Sequence, residues 1–507
     1  MHSSDATHLK SRPKMGSQQS EQETSKLLEL PDVYYINSKP NIKKRKSIRE
    51  YSFANKDANL LQREFGLKNF WLFSGPGWLM SIAYLDPGNL ESDLQAAALC
   101  GNSLLWILFW AHFLGLMIQN LASQLGIVTG KHLAEHIRIR YPKPIAKMLW
   151  IMCELAIIGS DIQEVVGTAI AFNILFNFPL WLGVIITVLD TFTFLALHRY
   201  GMNKLESFFM SLIGVMAICF CFEMFLANPD PKLVMEGLLV PNIPKYAVIQ
   251  AVAMVGAIIM PHNIYLHSAL ASGKEVCRVD LEKKQVKLAN KYLFIESGLA
   301  LFISFLINLA LMVVFAKVFY YNNGSVPKYN VGLADAAEAL ANTLGDKAKY
   351  IWAIGLLAAG QSSTMTGTLA GQYVMEGFWK FSITPWKRVL LTRSIALIPS
   401  ILVAILAKDY LDTLGEYLNT LQSLQLPFAL IPLLALLGDV TVMGKQFVLS
   451  KTSLYAYYLV AVVLLGFNGF LIFNLFYHLA FNVYTAIPLT LFVAIYIGFI
   501  YKVVRCY

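Results

Sequence analysis

Twelve apolar stretches, each about as long as a bilayer-crossing helix must be, follow one another between residues 70 and 502. They run approximately over 70–98, 103–128, 146–172, 179–198, 203–227, 247–271, 291–319, 349–377, 387–407, 412–437, 453–477 and 480–502. This pattern predicts an all-α polytopic membrane protein of about 12 transmembrane helices. Two of the stretches carry residues that a membrane helix should not have. Asp86-Pro87-Gly88-Asn89 sits inside segment one, and Met260-Pro261-His262-Asn263 sits near the middle of segment six. Proline lacks an N–H and clashes with the preceding turn, and glycine tolerates an unwound backbone. A carboxylate at bilayer depth costs about 2.5–3.5 kcal/mol on insertion scales. A simple proline kink needs neither the adjacent carboxylate nor the amide. Non-helical backbone at that depth persists only where protein or a water-filled cavity covers it. Segments one and six are therefore predicted to be broken helices around a binding site.

Paired interruptions in the two halves of a membrane chain point to a transporter site. With breaks in one and six, the chain divides into units of five segments, helices 1–5 and 6–10. Five is odd, so the second unit enters the membrane from the opposite side. The result is the inverted repeat of LeuT-type transporters. The expected organisation is a disordered cytosolic tail over 1–68, a ten-helix core over 69–437, and two peripheral helices with a short cytosolic end over 438–507.

Loop charge sets the orientation. Lys131, Arg138, Arg140, Lys143 and Lys147 follow segment two, and Lys274, Arg278, Lys283, Lys284, Lys287 and Lys291 follow segment six. Loops after segments one, three and eleven hold no Lys or Arg. Both termini are expected in the cytosol. The long loop after segment seven is then luminal or extracellular, and it contains the glycosylation sequon Asn323-Gly324-Ser325. In the tail, Glu23 followed by Leu27 and Leu28 resembles an acidic dileucine sorting signal. It favours an endosomal, lysosomal or vacuolar membrane reached through sorting adaptors, with the plasma membrane as the alternative. Lys43-Lys44-Arg45-Lys46 suits anionic lipid. A content of 56% hydrophobic and 14% charged residues among 507 excludes an ordinary soluble chain, so the net charge of +9 is no nucleic-acid signature. Six scattered cysteines give neither a disulfide framework nor a zinc spacing.

The residues at the breaks suggest a cation. Asp86 offers a hard carboxylate, Asn89 an amide oxygen and Met260 a soft thioether, and the freed carbonyls of Ala83 and Ala257 add oxygens. Sulfur disfavours Mg²⁺ and Ca²⁺ and tolerates first-row transition ions. Segment three carries Glu154, Asp161 and Glu164 on one helical face, too costly to face lipid, which suits a proton route or an ion-pair network that includes Arg393. His262 adjoins the second break. His267 is a further titratable group and equally a core histidine. Asn419 on segment ten is placed to reach the site, and the run Gly360-Gln361-Ser362-Ser363-Thr364 suits close helix packing or a pathway lining. His132 and His136, i and i+4, lack a third ligand and are read as a solvated helix face.

Asp86-Pro87-Gly88-Asn89, Met260-Pro261-His262, Gly360–Thr364 and Gln422-Ser423-Leu424-Gln425-Leu426-Pro427-Phe428 together resemble the natural resistance-associated macrophage protein (Nramp) family over roughly residues 69–477. The resemblance implies symport of Mn²⁺ or Fe²⁺, and of Cd²⁺ or Co²⁺, with protons into the cytosol. It implies metal ligation by Asp86, Asn89, Met260, Ala83 and Ala257, with Asn419 at the position of a glutamine in bacterial relatives. It also implies a proton path through Asp161, Glu164 and Glu154, with His262 tuning pH dependence and Arg393 pairing with the acids. No enzymatic pattern and no resident cofactor is expected. The rival readings are a metal-sensing receptor and a sodium-coupled small-solute transporter of the same fold.

Overall fold

The computed structural model describes residues 66, 70–71, 75–187, 202–274, 283–321, 331–379, 387, 394, 398–402, 411–479 and 483–506. Of the predicted tail, only residue 66 is among them. Glu23, Leu27, Leu28, Asn323 and Arg393 lie outside the described residues.

Every described element is helical. Segment one is two half-helices, α1 (Pro76–Ile82) and α2 (Pro87–Cys100). Then come α3 (Leu105–Thr129), the short α4 (Leu133–Arg140) and the long α5 (Lys143–Phe176). After α6 (Met202–Ala227) and α7 (Pro231–Leu239), segment six is again two halves, α8 (Val248–Ile258) and α9 (Pro261–Ser272). The rest comprises α10 (Lys283–Phe315), α11 (Leu333–Leu344), α12 (Asp346–Trp379), α13 (Leu411–Gln425), α14 (Pro427–Gly438), α15 (Val440–Phe447), α16 (Lys451–Leu479) and α17 (Val483–Arg505).

Among the described residues seven helices are long and apolar enough to span a membrane, or up to eight if the bent pair Lys143–Phe176 and Leu180–Thr187 is one span. Twelve were predicted. Segments four and nine fall largely outside the described residues, and segment one is split into halves too short to count alone. Segment eight, α12, is diluted by Gln361, Ser362, Ser363, Thr364, Thr366 and Thr368.

Both breaks lie just upstream of where the motifs place them. The chain unwinds over residues 83–86 and 259–260, and Pro87 and Pro261 open the following half-helices. The reason is that the first helical turn has no use for the missing N–H, and φ near −65° is already helical.

The molecule buries polar groups within an apolar core and turns large apolar side chains outward. Asp86, Asp161, Glu164, Glu296 and His267 are buried, whereas Phe225, Ile218, Tyr455 and Phe473 stand exposed on α6 and α16. An apolar outer surface of this kind suits a bilayer. The span through α8 and α9 is 94% buried and that through α17 only 11%, so the broken helices form the centre. Around them α5 packs along α12, α3 against α9 and α10, α8 against α2 and α13, and α1 against α10.

Candidate functional site

Asp86 immediately precedes α2 in extended conformation. Its Oδ1 accepts the Asn89 backbone N–H at 2.9 Å and the Asn89 side-chain amide at 2.6 Å. The negative charge thus sits at the positive end of a helix dipole. The second carboxylate oxygen of Asp86 and the amide oxygen of Asn89 are buried without a protein hydrogen bond. Across from them Met260 precedes α9, buried, followed by His262 and Asn263. His262 Nδ1 and Asn263 Oδ1 are also buried without partners. Asn263 Nδ2 reaches the Ala83 carbonyl at 3.4 Å.

The two prolines account for the two carbonyls. In a continuous helix the N–H of residue i bonds the carbonyl of residue i−4. Pro87 and Pro261 stand four residues after Ala83 and Ala257 and have no N–H to give. Both alanines are buried; at Ala83 the long bond from Asn263 stands in for the lost donor.

A small cavity of about 10 Å³, about the space of one water-sized sphere, lies between the breaks. Its walls are Ala83, Asp86, Met260, His262 and Asn263 from the broken helices, Ser160 and Glu164 from α5, and Ser363, Thr366 and Gly367 from α12. Five predicted residues therefore share one space: Ala83, Asp86, Met260, Glu164 and His262. Asn89 stands behind Asp86 and fixes its carboxylate.

The other predicted residues lie outside the cavity wall. Ala257 is in the last turn of α8. Asn419 on α13 donates to the Gly88 carbonyl at 2.9 Å and accepts from Gln163 at 3.0 Å, so it braces the start of α2. Gly88 makes that approach feasible, because an added Cβ would stand 2.8 Å from Gln163 Oε1. Asp161 is buried one turn from Glu164, and both reach Gly367 of α12. A Cβ on Gly367 would lie 2.9 Å from Asp161 Oδ1 and 3.3 Å from each Glu164 oxygen. Glu154 is half-buried, lies about 10 Å further along α5, and accepts from the Trp150 indole at 2.8 Å. His267 is fully buried, and neither ring nitrogen has a hydrogen-bond partner.

His132 and His136 correct an expectation: they do not form a solvated face. Both are 7% exposed. His136 bonds Thr129 Oγ1 at 2.9 Å, and a Cβ on Gly377 would collide with the His132 ring. The connecting helix α4 is packed down on α12 and α9, with Leu133 N–H donating to Ser268 at 3.0 Å.

Sequence reasoning missed Asn263, Thr366, Gly367 and Gln163. Asn263 was visible as the counterpart of Asn89, and Gln163 lies between Asp161 and Glu164 on the polar face of segment three. Gly367 and Thr366 carried no local signal beyond small size.

Chemically, the cavity gathers the carboxyl groups of Asp86 and Glu164, the amide of Asn263, the hydroxyls of Ser160, Ser363 and Thr366, and the Met260 thioether. Each buried acceptor without a partner costs about 1–3 kcal/mol. A cation relieves that cost and an anion does not. Among the described residues no three His, Cys, Asp or Glu side chains come together as in a resident metal cage.

Residues 77–474 match the family model described as natural resistance-associated macrophage protein-like. The metal transporter nramp1 homolog of Dictyostelium discoideum is 56% identical over 382 residues, 75% of this chain and 70% of that protein. The solved structure of the Eremococcus coleocola manganese transporter, in complex with an aromatic bis-isothiourea substituted compound, is similar with a TM-score of 0.74 at 31% identity. That likeness covers 88% of this chain and 95% of the other. Mhp1, a nucleobase-cation-symport-1 family transporter in a closed conformation, gives 0.50 at 16% identity over 75% and 81% of the two chains, a likeness of fold alone.

Proposed function

The chain belongs to the natural resistance-associated macrophage protein family, and from that premise we propose that it is a symporter moving Mn²⁺ or Fe²⁺ into the cytosol together with protons. The observation that carries this reading is the convergence of Asp86, the Ala83 carbonyl and the Met260 sulfur in one buried cavity between two broken helices. The Asp86 carboxylate supplies charge to the ion, Glu164 on the same wall is kept for the proton, and the neutral oxygens complete a shell without binding too tightly to release. The thioether disfavours Mg²⁺ and Ca²⁺. Asn89 orients the carboxylate, and the Ala257 carbonyl becomes a ligand on a small movement of α8. Asn419 reaches the ion only if α13 moves. Cd²⁺ and Co²⁺ fit the same donors. Manganese is also what the E. coleocola relative is named for.

Protons leave by way of α5. Glu164 already lines the cavity, Asp161 lies beside it, and Glu154 is the next acid along the helix. His262, on the opposite wall, is placed to exchange a proton with the site. Alternating access follows from rocking of one repeat against the other around the breaks. In the favoured orientation both termini are cytosolic, and the membrane is endosomal, lysosomal or vacuolar.

The test is Mn²⁺ uptake into proteoliposomes, with and without an inward proton gradient, for wild type and Asp86→Ala. The expected result is gradient-accelerated uptake that vanishes in the variant. Uptake indifferent to the gradient keeps metal transport and removes proton coupling. Binding without uptake by folded protein favours a sensor. Undiminished uptake by Asp86→Ala overturns the site.

A further inference from the structure

α10 grips the half-helix α1 at both ends. At the start of α1, Glu296 Oε1 accepts the backbone N–H groups of Gly75 at 2.6 Å, Gly77 at 2.8 Å and Trp78 at 3.3 Å. At and just beyond its end, Ser304 donates to the Ser81 carbonyl at 3.0 Å and Asn308 to the Tyr84 carbonyl at 2.9 Å. Positions 296, 304 and 308 differ by multiples of four, so they form one stripe along α10. Glu296 satisfies first-turn N–H groups that have no partner within α1, while Ser304 adds a second donor to the Ser81 carbonyl, which also takes the Tyr84 N–H at 3.1 Å. Glu296 is fully buried. The approach is close by construction: a Cβ on Gly77 would stand 2.7 Å from Glu296 Cγ and 2.9 Å from the backbone nitrogen of Ser297. The Ala83 carbonyl lies between the Ser81 and Tyr84 carbonyls, and α10 leaves that one to the cavity.

We infer that Glu296 is a positioning residue for transport: by holding the start of α1 against α10 it sets the Ala83 carbonyl and Asp86 at the cavity and keeps the path on the tail side of α1 shut. The inference rests on the reading of the cavity as the cation site. Releasing α1 strips three N–H groups of a charged acceptor at once. That costs little only when water has entered at the same end, so letting go of Glu296 and opening to that side are one event. Ser304 and Asn308 hold the far end of α1 and serve as the pivot.

A single reporter cysteine at buried Met80, in a background with the native cysteines replaced, reads the position of α1. Its reaction with a membrane-impermeant thiol reagent, applied from the side of the amino terminus, is compared in Glu296→Ala, Glu296→Gln and Gly77→Ala. Glu296→Ala removes three hydrogen bonds and is expected to raise the labelling rate at least about tenfold, the population shift that loss of even one of them would give. It should also raise KM for Mn²⁺ more than it lowers kcat. Glu296→Gln keeps an acceptor oxygen and should bring both values back toward wild type. Gly77→Ala leaves the carboxylate in place and wedges α1 off α10, so it should raise labelling too. It decides the matter if Glu296→Ala does not fold. Labelling at the wild-type rate in a folded Glu296→Ala, or in Gly77→Ala, overturns the inference. Asp86→Ala assayed in parallel separates the two readings: unchanged Mn²⁺ uptake there removes the metal site, while the labelling rates still judge the grip on α1.

Discussion

At the scale of single residues, the proposed metal site divides charge and softness between Asp86 and Met260. The carboxylate is held by Asn89 through one oxygen, and the other is buried without a partner at the cavity wall. Met260 is the one donor there that a hard-cation site would not contain. Met260→Ala is accordingly expected to keep Mn²⁺ uptake while losing discrimination against Ca²⁺, measured as competition between the two ions; unchanged competition removes the role of sulfur. His136, in the connecting helix α4 outside the spans, carries a pH dependence. Burial first, then the charges of Lys131, Arg140 and His132, hold its imidazole down to about 3, against 6.5 for a free group. The folded chain therefore keeps the neutral form. Its contribution to stability is complete above about pH 6.5 and is lost as pH falls toward 3, by at most about 1.4 kcal/mol per pH unit. His136→Asn is expected to flatten the fall of melting temperature between about pH 6.5 and 4. A slope equal to that of wild type would show that the ring does not titrate in this way.

At the scale of elements, the breaks matter more than the helices. Pro87 and Pro261 start α2 and α9 and deprive α1 and α8 of their last bonds, so the start of each second half-helix, and Ala83 from the end of α1, meet at the same cavity. Glycines then set how near the neighbours come. Gly256 lets α8 meet α13, where a Cβ would strike the Asn419 carbonyl, and Gly367 gives α5 room for two carboxylates against α12. Gly367→Ala is expected to cost about 1–3 kcal/mol by overpacking and to displace Glu164. The matching measurement is uptake against external pH beside a thermal melt. A melt lowered with an unchanged pH profile would confine the glycine to packing.

At the scale of the whole molecule, the apolar exterior defines the solvent as lipid, and the buried polar groups mark the centre. The two broken helices, α5 and α12 wall one cavity, where the proposed metal site and the start of the proposed proton route meet. The proposed membrane address rests on the dileucine motif of the tail. Replacing Leu27 and Leu28 by Ala is expected to move it to the cell surface, scored by imaging; retention on internal membranes removes the sorting role of that motif.

What the sequence by itself determined was whatever is written locally. The length of an apolar run sets a span, proline and glycine set a break, and a carboxylate or a thioether at bilayer depth must have a use. Asp86, Met260, His262 and the polar face of segment three were legible for that reason, and so were the two broken helices. Only the tertiary structure decided which of those groups share a wall. Asn419 turned out to brace α2, His132 and His136 to be packed away, and Glu296 to hold a half-helix whose first N–H lies 221 residues earlier. Such pairings depend on how helices pack and at what register. Those follow from small residues such as Gly77, Gly88 and Gly367, which carry no pattern along the chain, and from buried polar groups that must find a partner wherever the fold supplies one.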